Sequence, residues 1–543
     1  MKKVLLISLL LTVCNSVFAG EYDNLFSDID ESASSDKNAT EATVSKSSEP
    51  EKNISFSGEH TLRVAVPMVE EYRKFEGLYR SPWSQNSLTL SGEKGIVSFD
   101  AGLDMNIFEK DSKVNFELLP KEIVAKISPD KFRFALGYQI YSWGSADGIN
   151  PTDNINSIDY RYDVGGVKIP IFGADITWYP TEKMNLQAVV VPIEGKDVFP
   201  DEIVTMIPAE LFSSPYFSSV GLTAEGNLNP TVATKVYGGS ASISMPDKIL
   251  SNSLMGGKYS VYLGAIDFSF SYLYDFEKLY SPTFTLVERS FVQDETEFNP
   301  MIPDNVKYML AQKKVWGVEN LTLKKQRVHR IGVDFRTNIQ SVGLWGEFGY
   351  SLYGQENLLY DIDRSFLSGV VGFDVSFGES QEHYLNFQVV GNYIPDYDKE
   401  RFNDYPNTLP NSDSLASRTY MEQYYARSLS YDLNFQTEQA TIGFVTKLDL
   451  DFAGGYLKPA VQLGYFYPFE YDPTIERFGD LTGKVNLLYR VTDSFKLDAG
   501  VEGFYSFAKK IGTDKIYNNE RNQLGFFNKE SRLFLNATYM WGL

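Results

Sequence analysis

The stretch Leu533-Phe-Leu-Asn-Ala-Thr-Tyr-Met-Trp-Gly-Leu543 sets Leu533, Leu535, Ala537, Tyr539, Trp541 and Leu543 on one side of a period-2 strand. In a soluble protein so apolar and aromatic a terminal strand is an aggregation hazard, whereas in a membrane barrel the same face meets lipid. The pattern recurs along the chain. Val97, Phe99, Ala101, Leu103, Met105 and Ile107 face one way, and Ser98, Asp100, Gly102, Asp104 and Asn106 face the other.

Working outward from these two strands, the same alternation marks 132–140, 172–178, 184–190, 264–274, 331–335, 342–352, 369–377, 385–393, 440–448, 461–467, 481–491 and 495–505. Weaker alternation marks 55–66, 85–92, 113–127 and 231–245. Short polar joints with turn formers, such as Ser128-Pro-Asp-Lys131 and Thr492-Asp-Ser494, alternate with long connections. The fold expected is all-β: a transmembrane antiparallel up-and-down barrel of about eighteen strands (16–18), with short turns on one side and long loops on the other. Aromatics near strand ends, Trp178, Tyr393, Tyr467, Tyr489, Tyr505 and Trp541, fit interfacial girdles; a soluble propeller or sandwich would carry polar outer faces instead.

The beginning of the chain reads as an export signal. Lys2 and Lys3 precede an apolar run from Val4 to Val13, and Val17-Phe18-Ala19 supplies a cleavage site after Ala19. A lipoprotein reading at Cys14 is opposed by the bulk of Val13. Cleavage after Ala19 removes Cys14, the only cysteine of the chain, and with it thiolate metal sites, disulfides and cysteine catalysis. Residues 20–53 carry nine acids and three lysines among Ser, Ala and Thr, too little apolar content to offset ordering, and are expected to be a disordered periplasmic tail. The tail serves as a spacer or as a handle for a periplasmic partner. Residues 54–543 form the expected barrel, since no internal linker divides them and no apolar run is long enough for a spanning helix.

The most distinctive local sequence is Gly137-Tyr-Gln139-Ile-Tyr-Ser-Trp143-Gly144-Ser-Ala146-Asp147-Gly-Ile-Asn150-Pro151-Thr-Asp153-Asn-Ile-Asn156-Ser-Ile-Asp159. It resembles a poorly characterised, porin-like family of bacterial outer-membrane barrels in which Gly-x-Gln-x-x-x-Trp-Gly-x-Ala-Asp is followed by Asn-Pro-x-Asp elements. The second element here lacks the proline. The close resemblance covers about 25 residues and implies an exported channel without naming a solute. The C-terminal strand likewise resembles the signal by which such barrels are recognised for assembly, although that signal usually ends in Phe or Trp rather than Leu543. Taken one at a time, Asn, Asp and Pro in the 137–159 stretch are explained by turn chemistry. The sharper expectation is that the loop folds inward and that Gln139, Asp147 and Asp153 line the pore.

The net charge of −21 becomes −17 once the leader and tail are set aside. On the inward faces eleven acids, among them Asp334 and Glu347, meet ten bases, among them Arg133, Arg330, Arg336, Lys484 and Arg532. These residues are the remaining candidates for the pore lining. So many inward charges point to a wet lumen or an ion-paired network rather than an apolar tunnel. Excess acidity in the loops favours cations at low salt. Arg330, Arg336 and Lys484 could form a basic constriction, or could instead pair with neighbouring acids.

Enzymatic chemistry is not expected. The chain has three histidines; His60 and His329 fall on apolar strand faces and His383 in a turn, and no Gly-x-Ser-x-Gly elbow, HExxH pair or P-loop is present. No cofactor or metal is expected either; Asp361/Asp363 and Asp396/Asp398 lack the Gly-turned calcium loop. The partners expected are outer-membrane lipid, the barrel assembly machinery through the C-terminal strand, and small hydrophilic solutes; nucleic acid is not among them. The functional expectation is passive diffusion through a mixed-charge lumen. The alternative is a plugged surface barrel acting as an adhesin or structural protein. Apolar residues of 193–229 and 303–314 at helix-like spacing are expected either to constrict the pore or to cap it.

Overall fold

The computed structural model describes residues 53–69, 83–110, 113–161, 165–192, 195, 197–198, 240–244, 250–277, 281–290, 314–353, 365–395, 397, 426, 430, 435–436, 438–469 and 475–542. The expected leader, almost all of the tail and of the helical segments, and the paired loop aspartates lie outside the described residues, as does Leu543; Val198, within the first helical segment, instead forms a parallel bridge with Asp159.

Eighteen strands close into a barrel. In chain order they are β1 (Asn53–Pro67), β2 (Trp83–Lys94), β3 (Val97–Lys110), β4 (Lys113–Ile127), β5 (Phe132–Gln139) and β6 (Ile171–Thr181). Next come β7 (Met184–Val191), β8 (Leu254–Tyr262), β9 (Ile266–Phe276), β10 (Arg327–Ile339), β11 (Val342–Tyr353) and β12 (Phe366–Phe377). The circuit ends with β13 (His383–Tyr393), β14 (Ala440–Asp449), β15 (Leu457–Phe469), β16 (Ile475–Thr492), β17 (Phe495–Lys510) and β18 (Arg532–Gly542). Each pairs antiparallel with its neighbours in sequence order, and β18 closes on β1 with Leu533 opposite Val66 and Gly542 opposite Ser57. Closure leaves no unpaired edge, the condition under which a sheet can stand in lipid.

The two faces differ as period 2 requires. Leu90, Phe99, Phe116, Leu118, Leu136, Val371, Ile442, Leu487, Leu533 and Leu535 are exposed on the outside. Trp178, Tyr393, Tyr467 and Tyr489 stand among them, exposed near strand ends. The closing seam carries its own aromatic contact: Trp541 packs edge-on to Phe56, ring centroids 5.1 Å apart, in space left open by Gly58.

One strand differs from expectation. The weak candidate at 231–245 contributes Ser240–Ser244 to a separate three-stranded sheet with Ser281–Ser290 and Lys314–Lys324, and the barrel strand is β8. In β8, Gly256 and Gly257 mute the alternation that period reading depends on. Gly256 is needed there, because a Cβ would press on Leu273 and the Tyr272 carbonyl. His383, expected in a turn, opens β13. A second interruption lies in β4, where a bulge opposite Ala101–Leu103 absorbs Pro120.

Candidate functional site

The connection from β5 to β6 turns into the barrel. It begins with Gly137, whose φ of 142° and absent Cβ let the Ile123 carbonyl approach closely. The Gln139 side chain is buried, donating to the Tyr141 hydroxyl at 2.7 Å and to the Gly173 carbonyl at 3.3 Å. Asn156 pins the base of the loop by accepting from Tyr141 N at 2.7 Å and donating to the carbonyls of Gln139 and Ile169. Around this base Tyr141, Trp143 and Ile155 bury themselves against inward residues of β6 to β9: Ile171, Val189, Val191, Leu254 and Leu273. The Trp143 indole N–H donates to Gln187 Oε1 at 3.0 Å.

From there the chain crosses the lumen. Ala146 joins Trp345, Val370 and Val390, inward residues of β11, β12 and β13, in a second buried cluster. Ile149 and Phe466 pack against that cluster. Gln388 of β13, seven strands around from β6 in a barrel of eighteen, donates to the Asp147 carbonyl, so the loop reaches the far side of the lumen.

Glu347 on β11 fixes the crossing. Its carboxylate accepts from the backbone N–H of Ser145 and, at 2.5 Å, from that of Ala146; its other oxygen takes the Thr152 hydroxyl at 3.0 Å and the Thr152 N–H at 3.3 Å. Four donors from one loop on a fully buried carboxylate replace the hydration it lost. Gly144, at φ 104°, is required beside it, since a Cβ would collide with the carboxylate. Gly349 and Gly332 similarly leave space for Pro151 and Thr152. Asp334 on β10 accepts from the Ser145 hydroxyl and lies 3.5 Å from Lys258 Nζ.

Asp147 lies at the tip, buried on the far wall. It accepts from the Tyr384 hydroxyl and from Asn386 Nδ2, each at 3.2 Å, while Gln388 donates to its carbonyl at 2.7 Å. Burial raises its carboxyl to about 6 against the opposing pull of Arg336. Asp153 is buried deeper in the loop, 2.5 Å from Lys168 Nζ; desolvation raises its carboxyl too, opposed by that lysine.

The other candidates lie on the inward faces. Arg133 reaches Asp175 at 3.1 Å, Arg336 reaches Asp374 at 3.5 Å, and Arg532 is paired with Glu502 across the β17–β18 seam. Lys484 stands 5.5 Å from the Phe534 ring centroid. Arg330 donates to the Ser351 hydroxyl at 2.9 Å and edges a small cleft beneath Thr152 and Asn154. Arg133, Arg336 and Arg532 thus each have a carboxylate partner.

Trp345, Val370 and Val390 were missed by residue-type reasoning because inward positions were expected to be polar. Their signal was present: apolar side chains at inward parity on three consecutive strands. The three histidines are engaged structurally: His60 with Asn86 at 2.8 Å, His329 with the Tyr272 hydroxyl at 2.8 Å, and His383 accepting from Asp451 N at 3.2 Å.

No family model matches the chain, and no curated protein matches it in sequence. Solved structures are similar to it in backbone arrangement. The chain is similar to Pseudomonas aeruginosa OccK5 (OpdH), at 11% identity and TM-score 0.42, over 91% of this chain and 98% of that one. It is similar to Acinetobacter baumannii OccAB4, at 10% identity and TM-score 0.44, over 91% and 99%. It is also similar to Pseudomonas aeruginosa OpdK crystallised with vanillate, at 9% identity and TM-score 0.43, over 91% and 98%. The eighteen-stranded architecture rests on the strand register itself.

Proposed function

We propose that the chain is an outer-membrane channel for passive diffusion of small hydrophilic solutes, with the β5–β6 loop dividing its lumen. An apolar outer surface closed on itself belongs in a lipid bilayer, and a barrel of eighteen strands is wide enough to hold water once its own side chains are accommodated. The inner wall is polar and ion-paired: Lys126 meets Asp100 at 2.9 Å, and Lys447 meets Asp449 at 2.6 Å. Paired inward charges suit water and small polar solutes.

The observation that carries this reading is the Glu347 clamp, which holds a loop across the lumen. Solute selection is then by width and by charge at the loop's contact with the far wall, where Asp147, Arg336 and Asp374 lie. Arg133, Gln139, Asp153, Arg330, Asp334, Lys484 and Arg532 belong to the same lining or support it. The C-terminal strand would present the barrel to its assembly machinery, and residues 20–53 would extend into the periplasm after removal of residues 1–19.

Planar-bilayer recording on the folded, purified protein tests the reading. Stepwise, ohmic conductance is expected. A barrel that inserts and never conducts would instead support a plugged surface protein, whose loops bind a partner.

A further inference from the structure

Five charged or titratable side chains from the loop and four strands converge where the loop tip meets the far wall. Asp147 brings the loop's charge; facing it are Arg336 on β10, Asp374 on β12, Tyr384 on β13 and Lys447 on β14. Arg336 is 3.5 Å from Asp374, and Lys447 is 2.6 Å from Asp449. Each of these cations therefore has an acid of its own, and the charge of Asp147 is additional to the paired set. Its carboxylate is held by neutral donors, Tyr384 and Asn386.

We propose that Asp147 sets the ion preference of the channel and does so as a proton-dependent charge, so that acidification removes cation preference at this contact. The inference rests on the channel reading above. A charge set in a poorly hydrated wall is weakly screened, so one carboxylate at this contact has more influence than a carboxylate fully exposed to water.

The direction follows from the environment. Burial favours the neutral acid and places its titration at about 6, opposed by Arg336 and reinforced by Asp374. Above that value Asp147 is ionised and, among the described residues, adds one negative charge to the Arg336–Asp374 and Lys447–Asp449 pairs; below it the acid is neutral and those pairs keep their charges. The Asp147 carbonyl bond to Gln388 and the Glu347 clamp do not depend on this proton, so the loop stays docked while its charge changes.

The test is the reversal potential of the full-length protein in planar bilayers under a potassium chloride gradient, measured between about pH 7.5 and pH 5, above the ordinary carboxylate range. The wild type is expected to lose cation preference by roughly two-fold in permeability ratio as pH falls, with its midpoint near 6. Asp147→Asn is expected to show the low-pH preference throughout. Arg336→Gln, which removes the cation that favours ionised Asp147, is expected to move the midpoint upward while keeping the step; this arm stands even where Asp147→Asn fails to assemble. A wild type that conducts with flat selectivity, or an Asp147→Asn channel retaining the wild-type step, overturns the inference and leaves the channel reading intact. Absence of current at every pH overturns both.

Discussion

Two sides of the same lumen use the same residue types differently. On the β16–β18 side acids meet cations: both Asp480 oxygens accept from Arg477 Nη2, at 2.9 and 3.0 Å, and Glu502 is paired with Arg532. On the β10–β13 side Glu347 and Asp147 are held chiefly by backbone amides, hydroxyls and side-chain amides, most of them from or toward a loop about 200 residues earlier in the chain. A carboxylate paired with a cation from its own sheet braces the wall. One satisfied by neutral donors on another segment ties that segment down and keeps its charge locally uncompensated. The first arrangement makes a barrel rigid; the second gives it a constriction.

The comparison breaks most visibly at Glu347. Glu347→Ala strands the N–H groups of Ser145, Ala146 and Thr152, and hydrogen bonds to a charged acceptor are worth about 1.5–3 kcal/mol each. Partial solvation in the lumen returns some of that, leaving a loop docked more weakly by about 3 kcal/mol. Single-channel conductance is expected to rise by roughly two-fold, with added open-state noise. Next in size is Arg532→Ala, which leaves Glu502 buried without its cation at the β17–β18 seam and should cost about 3 kcal/mol, read as a lower temperature of barrel unfolding on unheated and heated gels. Asp334→Asn removes the charge but keeps an acceptor for the Ser145 hydroxyl; a conductance change smaller than that of Glu347→Ala is expected. The smallest effect belongs to Lys126→Ala. Its pair with Asp100 is about one-third exposed, and loss of such a pair should change unfolding by under about 1 kcal/mol.

The barrel was legible because its outer face is apolar on strand after strand, and period 2 survives bulges such as that at Pro120. It failed at β8, where glycines erase the signal. The candidate loop was legible from Gly137 to Asp159 as a turn-rich segment, and Glu347 and Asp334 could be placed on inward faces by parity alone. Their partners could not. Nothing local connects Glu347 to the amides of Ser145 and Ala146, because a backbone donor carries no residue-type signature and the partners lie 202 and 201 residues apart in sequence. Gly144 illustrates the same limit: its need for φ 104° is a local requirement, but the carboxylate that excludes a Cβ arrives from a distant strand. Trp345, Val370 and Val390 were legible in hindsight only as exceptions to polar-inward alternation, and such exceptions on adjacent strands mark where a loop docks.

In the function proposed above, a loop clamped by Glu347 divides a conducting lumen. Single-channel recording of wild type beside Glu347→Ala, each shown to be a folded barrel, tests it most directly. A small ohmic conductance is expected for the wild type and a clearly larger one for the variant. A silent wild type, or equal conductances in the two proteins, would contradict it.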